Sequence, residues 1–364
     1  MAEQIPWFRP VVGADEADAV RAVLTSGYLN DGSVARELER EIALLLGARH
    51  AVAVTSGTAA ISLALIALGI GPGDEVIVPD LTFIATANAV RMTGASAKLV
   101  DVEPRRFTMQ IAAAVAAIGP NTRAIVSVDV NGRAADYSSL ETLCREHGLA
   151  LVCDAAEAWG SRHQGRYLGT FGNAGCFSFS ANKTISSGQG GLIVTDSDLL
   201  HDRLRELKDQ GRRHGGTGGD DWHPVLGFNF KYTNLQASIA LTQFGKLPAR
   251  LDAMLERDRL YREMLMDLEG LTVPAEQSND GEVIQWFDVL SERRAEIITA
   301  LNSIGAGSRA FWFPLHRQQP YRLGDDKFRN AIAVSERGLW LPSHLEITHE
   351  QIERVADAIR AALG

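Results

Sequence analysis

Four groups of residues in this chain carry side chains that do chemistry, at positions where strands should be ending. The first is Lys183, in Phe177-Ser178-Phe179-Ser180-Ala181-Asn182-Lys183-Thr184-Ile185-Ser186-Ser187-Gly188-Gln189-Gly190-Gly191. An apolar, aromatic-flanked run leads to a single lysine, then to small hydroxyl residues and a Gly-rich turn. Lysines usually lie on solvated faces. A partly desolvated lysine loses its proton more readily and attacks carbonyls, so Lys183 reads as a Schiff-base lysine. The second group is Asp154, directly after Leu151-Val152-Cys153, where a carboxylate can keep a ring nitrogen protonated. The third is Phe83, in Pro79-Asp80-Leu81-Thr82-Phe83, able to stack on a flat ring. The fourth is Ser56-Gly57-Thr58, which opens a helix whose free N–H groups suit a phosphate. Each has an ordinary reading when taken singly: a turn-capping Asp, a core Phe, a helix N-cap.

Taken together they are the parts a pyridoxal phosphate (PLP) enzyme needs: a Schiff-base lysine, a carboxylate for the ring nitrogen, a stacking aromatic and a phosphate cradle. Asp154 lies 29 residues before Lys183, about one strand–loop–strand excursion on a sheet. In open α/β sheets, ligands bind beyond the carboxyl ends of the strands.

The elements that must position these residues follow from periodicity. Helical patterns run over Asp15 to Ser26 and Val34 to Leu46. Strand and helix then alternate: strands at His50–Thr55, Glu75–Pro79, Ala97–Asp101, Ala124–Val130 and Leu149–Cys153, helices at Thr58–Leu68, Ile84–Thr93, Ile111–Ala117 and Tyr137–Glu146. Such alternation with apolar strands predicts an α/β fold, with a mostly parallel sheet covered by helices on both faces. Two more strands, Cys176–Phe179 and Gly191–Thr195, join through the Lys183 loop. Helices follow over Leu204–Gln210, Leu235–Phe244 and Pro248–Leu268, and the chain closes with an amphipathic helix over Glu350–Leu363. The division expected is a large cofactor-binding domain over 1–247, with its N-terminal helical segment, and a smaller α+β domain over 248–364.

Composition narrows the class. The 364 residues are 46% hydrophobic and 22% charged, with net charge −9, as in a soluble enzyme. An acidic chain disfavours nucleic acid and anionic membranes, so anionic ligands need local cations. Cys144, Cys153 and Cys176 show no metal-type spacing and read as buried free thiols in a reducing compartment. No signal peptide or membrane span is read, which makes a cytoplasmic location the expectation.

Over nearly its whole length the chain resembles the DegT/StrS family of sugar aminotransferases, fold-type I PLP enzymes of the aspartate aminotransferase superfamily. The resemblance rests on Ser56-Gly57-Thr58, Asp80-Leu81-Thr82-Phe83-Ile84-Ala85-Thr86-Ala87-Asn88, Asp154-Ala155-Ala156-Glu157-Ala158-Trp159-Gly160, the Lys183 segment, and Gly227-Phe228-Asn229-Phe230-Lys231. It implies that Lys183 carries the cofactor's internal aldimine and shuttles the proton of the 1,3-transfer. It implies that Asp154 pairs with the pyridinium nitrogen, Phe83 stacks on the ring, and Ser56, Gly57, Thr58 and Ser178 hold the phosphate. Asn229 would reach the phosphate in the neighbouring subunit, making a homodimer with shared sites. Many relatives have Gln where Glu157 stands, beside the cofactor's phenolic oxygen, and others have His where Ser180 stands. The family's His-Leu-Tyr-Gly-like loop reads Asp129-Val130-Asn131-Gly132 here, and the stretch from Pro274 to Asp288 reads as shortened.

The resemblance further implies transfer of an amino group from glutamate or glutamine to a keto sugar, a nucleotide-linked 4-keto-6-deoxyhexose in the GDP-perosamine synthase type of member. Such enzymes serve polysaccharide and O-antigen biosynthesis. A diphosphate needs cations, and the candidates are Arg212, Arg213, His214, Lys231, Arg309, His316 and Arg317. His316 is favoured, because Pro314-Leu315-His316 resembles a substrate-side motif. Two other readings stand: an aminotransferase for non-nucleotide keto sugars or cyclitols, and a non-catalytic PLP-fold regulator. The family's dehydrating branch has His in place of the lysine, and Lys183 argues against it. A dinucleotide oxidoreductase fits poorly, because Gly188-Gln189-Gly190-Gly191 precedes a strand rather than a Rossmann helix.

Overall fold

A computed structural model describes residues 4–213, 221–275 and 281–364. Two helices, α1 (Ala14–Ser26) and α2 (Ser33–Leu46), precede an alternation of β1 (His50–Val54), α3 (Gly57–Ala67), β2 (Glu75–Pro79), α4 (Ala85–Met92), β3 (Ser96–Val100), α5 (Ile111–Ala117), β4 (Thr122–Val128), α6 (Tyr137–His147) and β5 (Ala150–Asp154). A short hairpin, β6 (Arg162–His163) and β7 (Arg166–Tyr167), leads to β8 (Ala174–Ser178) and β9 (Gly191–Thr195). Helices α7 (Asp198–Lys208), α8 (Asn234–Gly245) and α9 (Leu247–Leu265) follow. The rest is β10 (Asp288–Leu290), α10 (Arg294–Ser303), β11 (Arg309–Ala310), α11 (Arg329–Arg337), β12 (Gly338–Trp340) and α12 (His349–Leu363).

Seven strands form one sheet in the order β1-β9-β8-β5-β4-β2-β3. β9 runs antiparallel to both its neighbours, and the remaining pairs are parallel. The sheet is therefore mixed and mostly parallel, as the alternation predicts. One consequence builds the site. Gly191, the first residue of β9, pairs with Val54 at the end of β1 and with Ser178 at the end of β8. The Gly-rich turn after Lys183 thus returns to the edge where the parallel strands end.

The alternating side chains of each strand fill two cores. Val52, Val76, Val126, Val152 and Ile193 pack with α3, α4 and α7 on one face; Ala53, Ile77, Ile125, Leu151 and Leu192 pack with α2, α6 and α8 on the other. Burial of both faces explains why these strands read as continuous apolar runs. Each fully buried Val, Ile or Leu contributes about 1.5–3 kcal/mol by leaving water.

A third core lies beyond the sheet. Leu260, Tyr261 and Leu265 of α9 pack with α10, α12 and the antiparallel sheet β10-β12-β11. At its other end α9 places Leu247 in the core of the large sheet. The stretch from Pro274 to Asp288 lies partly outside the described residues, but its last residues cross-link the two sheets. Arg133 makes a bidentate bond to Asp288, 2.7 Å on each arm, and both side chains are buried. Asn131 Nδ2 donates to Trp286 O at 2.6 Å and to Asp288 Oδ2 at 2.9 Å.

Two elements differ from expectation. Helix α7 begins six residues earlier than its apolar pattern, because Ser197 accepts the N–H of Leu200 and caps it. The hairpin β6–β7 leaves no signal in the sequence, because two-residue strands are too short to show a period.

Candidate functional site

A cavity of about 420 Å³ opens beyond the carboxyl ends of the parallel strands. Its wall includes Ser56, Gly57, Thr58, Phe83, Asp154, Glu157, Ser178 and Lys183, all singled out in the sequence, together with Thr82, Thr86, Ser180, Asn182, Gln189, Trp286, Arg309 and Trp312. Residues 56 to 189 of this wall meet because they lie at or follow the carboxyl ends of β1, β2, β4, β5 and β8 or lie in the turn into β9, and Trp286, Arg309 and Trp312 come from the smaller sheet's side.

Ser56 caps α3, and its Oγ accepts the N–H of Ala59 at 3.1 Å. The N–H of Ala60 takes Ser56 O. The N–H groups of Gly57 and Thr58 precede the first intrahelical bond and remain at the positive end of the helix. Two glycines allow the close approach. A Cβ on Gly57 would lie 3.1 Å from Ser178 Cβ, and one on Gly191 would lie 2.3 Å from Ser56 O. Free amides, hydroxyls and missing Cβ atoms make a cradle suited to a phosphate.

Asp154 ends β5. Burial pushes its carboxyl up to about 6, opposed by the Thr86 hydroxyl, which donates to Oδ2 at 2.8 Å, and by the Ala156 N–H. An incoming cation, such as a protonated ring nitrogen, would relieve that desolvation. Phe83 is 53% exposed, so it is not a core aromatic and has a face open to a flat ligand.

Lys183 Nζ donates to Glu157 Oε1 at 3.1 Å, and the two side chains are 11% and 7% exposed. Nζ also lies 5.0 Å from the centre of the Trp286 ring. The other Glu157 oxygen accepts the N–H of Asn131 at 3.0 Å. Asn131 has φ 57°, a left-handed geometry that Asn tolerates better than bulkier residues. The loop Asp129-Val130-Asn131-Gly132 therefore holds Glu157, and through it Lys183, in place. Glu157 is thus bonded both to Lys183 Nζ and to the Asn131 amide rather than left without a partner.

Four residues expected at a ligand site line no part of this cavity. His316 is fully buried: Nδ1 bonds Asp80 Oδ2 at 2.6 Å, Nε2 bonds Asp325 Oδ1 at 3.0 Å, and the ring stacks on Phe328. Lys231 bonds Asp209 Oδ1 at 2.5 Å. Arg212 reaches Asp221 at 3.4 Å. Asn229 is exposed and pairs through its backbone with Asp209. Of the other cations considered, Arg317 pairs with Asp325 and Glu336, Arg213 pairs with Glu206, and His214 lies outside the described residues. The sequence assigns no role to Thr86, Trp286 or Trp312 and ranks Arg309 no higher than the other cations. Thr82 and Thr86, at i and i+4, carried a usable signal: their hydroxyls meet at 3.1 Å, and the second reaches Asp154. Trp286 gave none, since nothing near it in sequence marks a ligand.

The family model for DegT/DnrJ/EryC1/StrS aminotransferases matches residues 10–360. The chain belongs to this family. It is a PLP-dependent aminotransferase, and the cradle, the buried Asp154 and the cavity-facing Lys183 fit that cofactor. It is 36% identical over 369 residues to GDP-perosamine synthase of Caulobacter vibrioides, covering 97% of each chain. It is 39% identical over 335 residues to a UDP-N-acetyl-3-dehydro-α-D-glucosamine 3-aminotransferase of Acidithiobacillus ferrooxidans, covering 91% of this chain and 89% of that one. Among solved structures it resembles DesI, determined in the presence of its TDP-sugar product, with TM-score 0.90 and 30% identity over 100% of this chain and 93% of that one. Among the described residues no helix is long and apolar enough to cross a membrane.

Proposed function

We propose that this enzyme transfers an amino group from glutamate or glutamine to a nucleotide-linked keto sugar, a 4-keto-6-deoxyhexose. The observation that carries the reading is a single cavity holding a lysine, a buried carboxylate, an open aromatic face and a helix N-terminus, in a chain similar to enzymes named for GDP, UDP and TDP sugars. When bound, PLP supplies the electron sink that lets an amino group pass between carbon skeletons. The chain's own residues do the rest. Gly57, Thr58, Ser56 and Ser178 hold the phosphate. Asp154, steadied by Thr86, holds a proton on the ring nitrogen. Phe83 covers a face of the ring. Lys183 would hold the cofactor through Nζ, and it is placed to move protons at that atom. Glu157 orients Lys183, and Trp286 and Trp312 keep water from the reacting side.

The enzyme works as a cytoplasmic homodimer, with residues 1–247 as the cofactor-binding domain and 248–364 as the smaller one. Asn229 is exposed and does not line the cavity around Lys183, which supports a role at a partner's phosphate. Mixing Lys183→Ala with Asn229→Asp chains then restores activity, because one composite site in each heterodimer is intact.

The test is spectroscopic. Purified protein mixed with PLP shows a visible absorbance band, borohydride removes it, and mass spectrometry finds the reduced adduct on Lys183. No band after PLP addition overturns the reading. With the cofactor loaded, a panel of nucleotide sugars raises the melting temperature most for the true substrate class; a panel with no response removes the nucleotide-sugar assignment.

A further inference from the structure

Four ionisable side chains stand among the described residues of the cavity wall: Asp154, Glu157, Lys183 and Arg309. Three of them are committed. Lys183 and Glu157 pair with each other, and Asp154 is buried on the Thr86 hydroxyl and the Ala156 N–H. Arg309 differs. It begins β11, is half-buried, and forms no hydrogen bond or ion pair through its side chain with any described residue. Its guanidinium carbon lies 5.1 Å from the centre of the Trp7 ring and 5.6 Å from that of Trp340. Stacking on aromatic faces fixes the plane of a guanidinium and leaves its N–H edge uncommitted. The surrounding aromatics add donors and no acid: Nε1 of Trp7, Trp286 and Trp340 are each buried without a hydrogen-bond partner. Trp286 packs against both Trp7 and Trp340, and its own ring lies under Lys183 Nζ.

We propose that Arg309 is the anion-recognition residue of the cavity, gripping a pair of substrate oxygens carried by a carboxylate or a phosphate. A planar guanidinium with an open edge matches either group through two parallel N–H···O bonds. A partly buried arginine without an acid is costly in the free protein, so an entering anion is stabilised there. Arg309 takes the part that the sequence reading favoured for His316, whose two ring nitrogens are already held by Asp80 and Asp325. The inference rests on the proposed aminotransferase reading and specifies which residue selects the substrate.

The test uses the PLP-loaded enzyme with Arg309→Gln and Arg309→Lys. Both variants should keep the cofactor absorbance band; loss of the band in the wild-type protein would count against the functional reading rather than against Arg309. Two arms separate the sources of the anion. In one, L-glutamate alone is added and the concentration giving half-maximal spectral change is read. In the other, GDP and UDP are titrated by calorimetry. Recognition of the donor's carboxylate raises the half-maximal glutamate concentration of Arg309→Gln by about 10- to 100-fold and leaves nucleotide binding unchanged. Recognition of the diphosphate weakens GDP or UDP binding by a similar factor and leaves the glutamate response unchanged. Arg309→Lys recovers part of either loss. Wild-type values in both arms for Arg309→Gln overturn the proposal.

Discussion

Lys183 and Lys208 are both largely buried lysines with acidic partners, yet only one faces a place where chemistry can happen. Lys208 is the last residue of α7 and faces α2. Its Nζ takes Asp31 at 2.9 Å, Glu39 at 3.5 Å and the carbonyl of Ala53 at 2.9 Å. Arg205 and Arg36 complete the cluster around Glu39. Burial alone would raise the Glu39 carboxyl; Lys208 and Arg205 outweigh it and hold the group at about 2. Lys183 has one acid, one aromatic face and an open cavity. The difference teaches that an ion pair does not mark function. What marks it is a charge with fewer partners than it can hold, next to space for a ligand.

Substitution should break this comparison in opposite directions. Lys183→Ala lowers the rate of amino transfer by about 10²–10⁴-fold or more, with little change in melting temperature; steady-state kinetics and a thermal melt read both. Lys208→Met leaves Glu39 and Asp31 short of a cation and costs about 3–5 kcal/mol of stability, while enzyme that remains folded keeps its cofactor band. A catalytic defect in Lys208→Met at full stability would erase the distinction. His316→Ala is the smallest of the three. It removes a buried hydrogen bond to Asp80, where burial already raises the carboxyl against the pull of His316, and costs about 1–3 kcal/mol. Denaturant unfolding measures that loss, and the Michaelis constants for both substrates stay near wild type. A selective rise in the sugar's constant would return His316 to the substrate side.

The cations show how far the sequence could be read. Lys231, His316 and Arg317 were all plausible ligands for a diphosphate by type and by neighbourhood. Each is held by an acid: Asp209 for Lys231, Asp80 and Asp325 for His316, Asp325 and Glu336 for Arg317. Asp80 lies 236 positions before His316, and no local spacing reveals such a pairing. Arg309 looked like ordinary surface charge until β11 was placed against Trp7 and Trp340. Asn131 looked like a loop residue until its amide was found on Glu157 and its side chain on Asp288.

What the sequence determined by itself was local. Alternating apolar strands and helices dictated a mostly parallel sheet, and residues at strand ends were bound to share one edge of it. Lys183, Asp154, Phe83 and the Ser56-Gly57-Thr58 turn could be named because their chemistry depends on type and on position relative to a strand. Tertiary structure alone decided which charges were left over. Coulomb pairing depends on distance in space, and burial sets its strength, so Arg309, unpaired among the described residues, emerged only once the described acids had been placed.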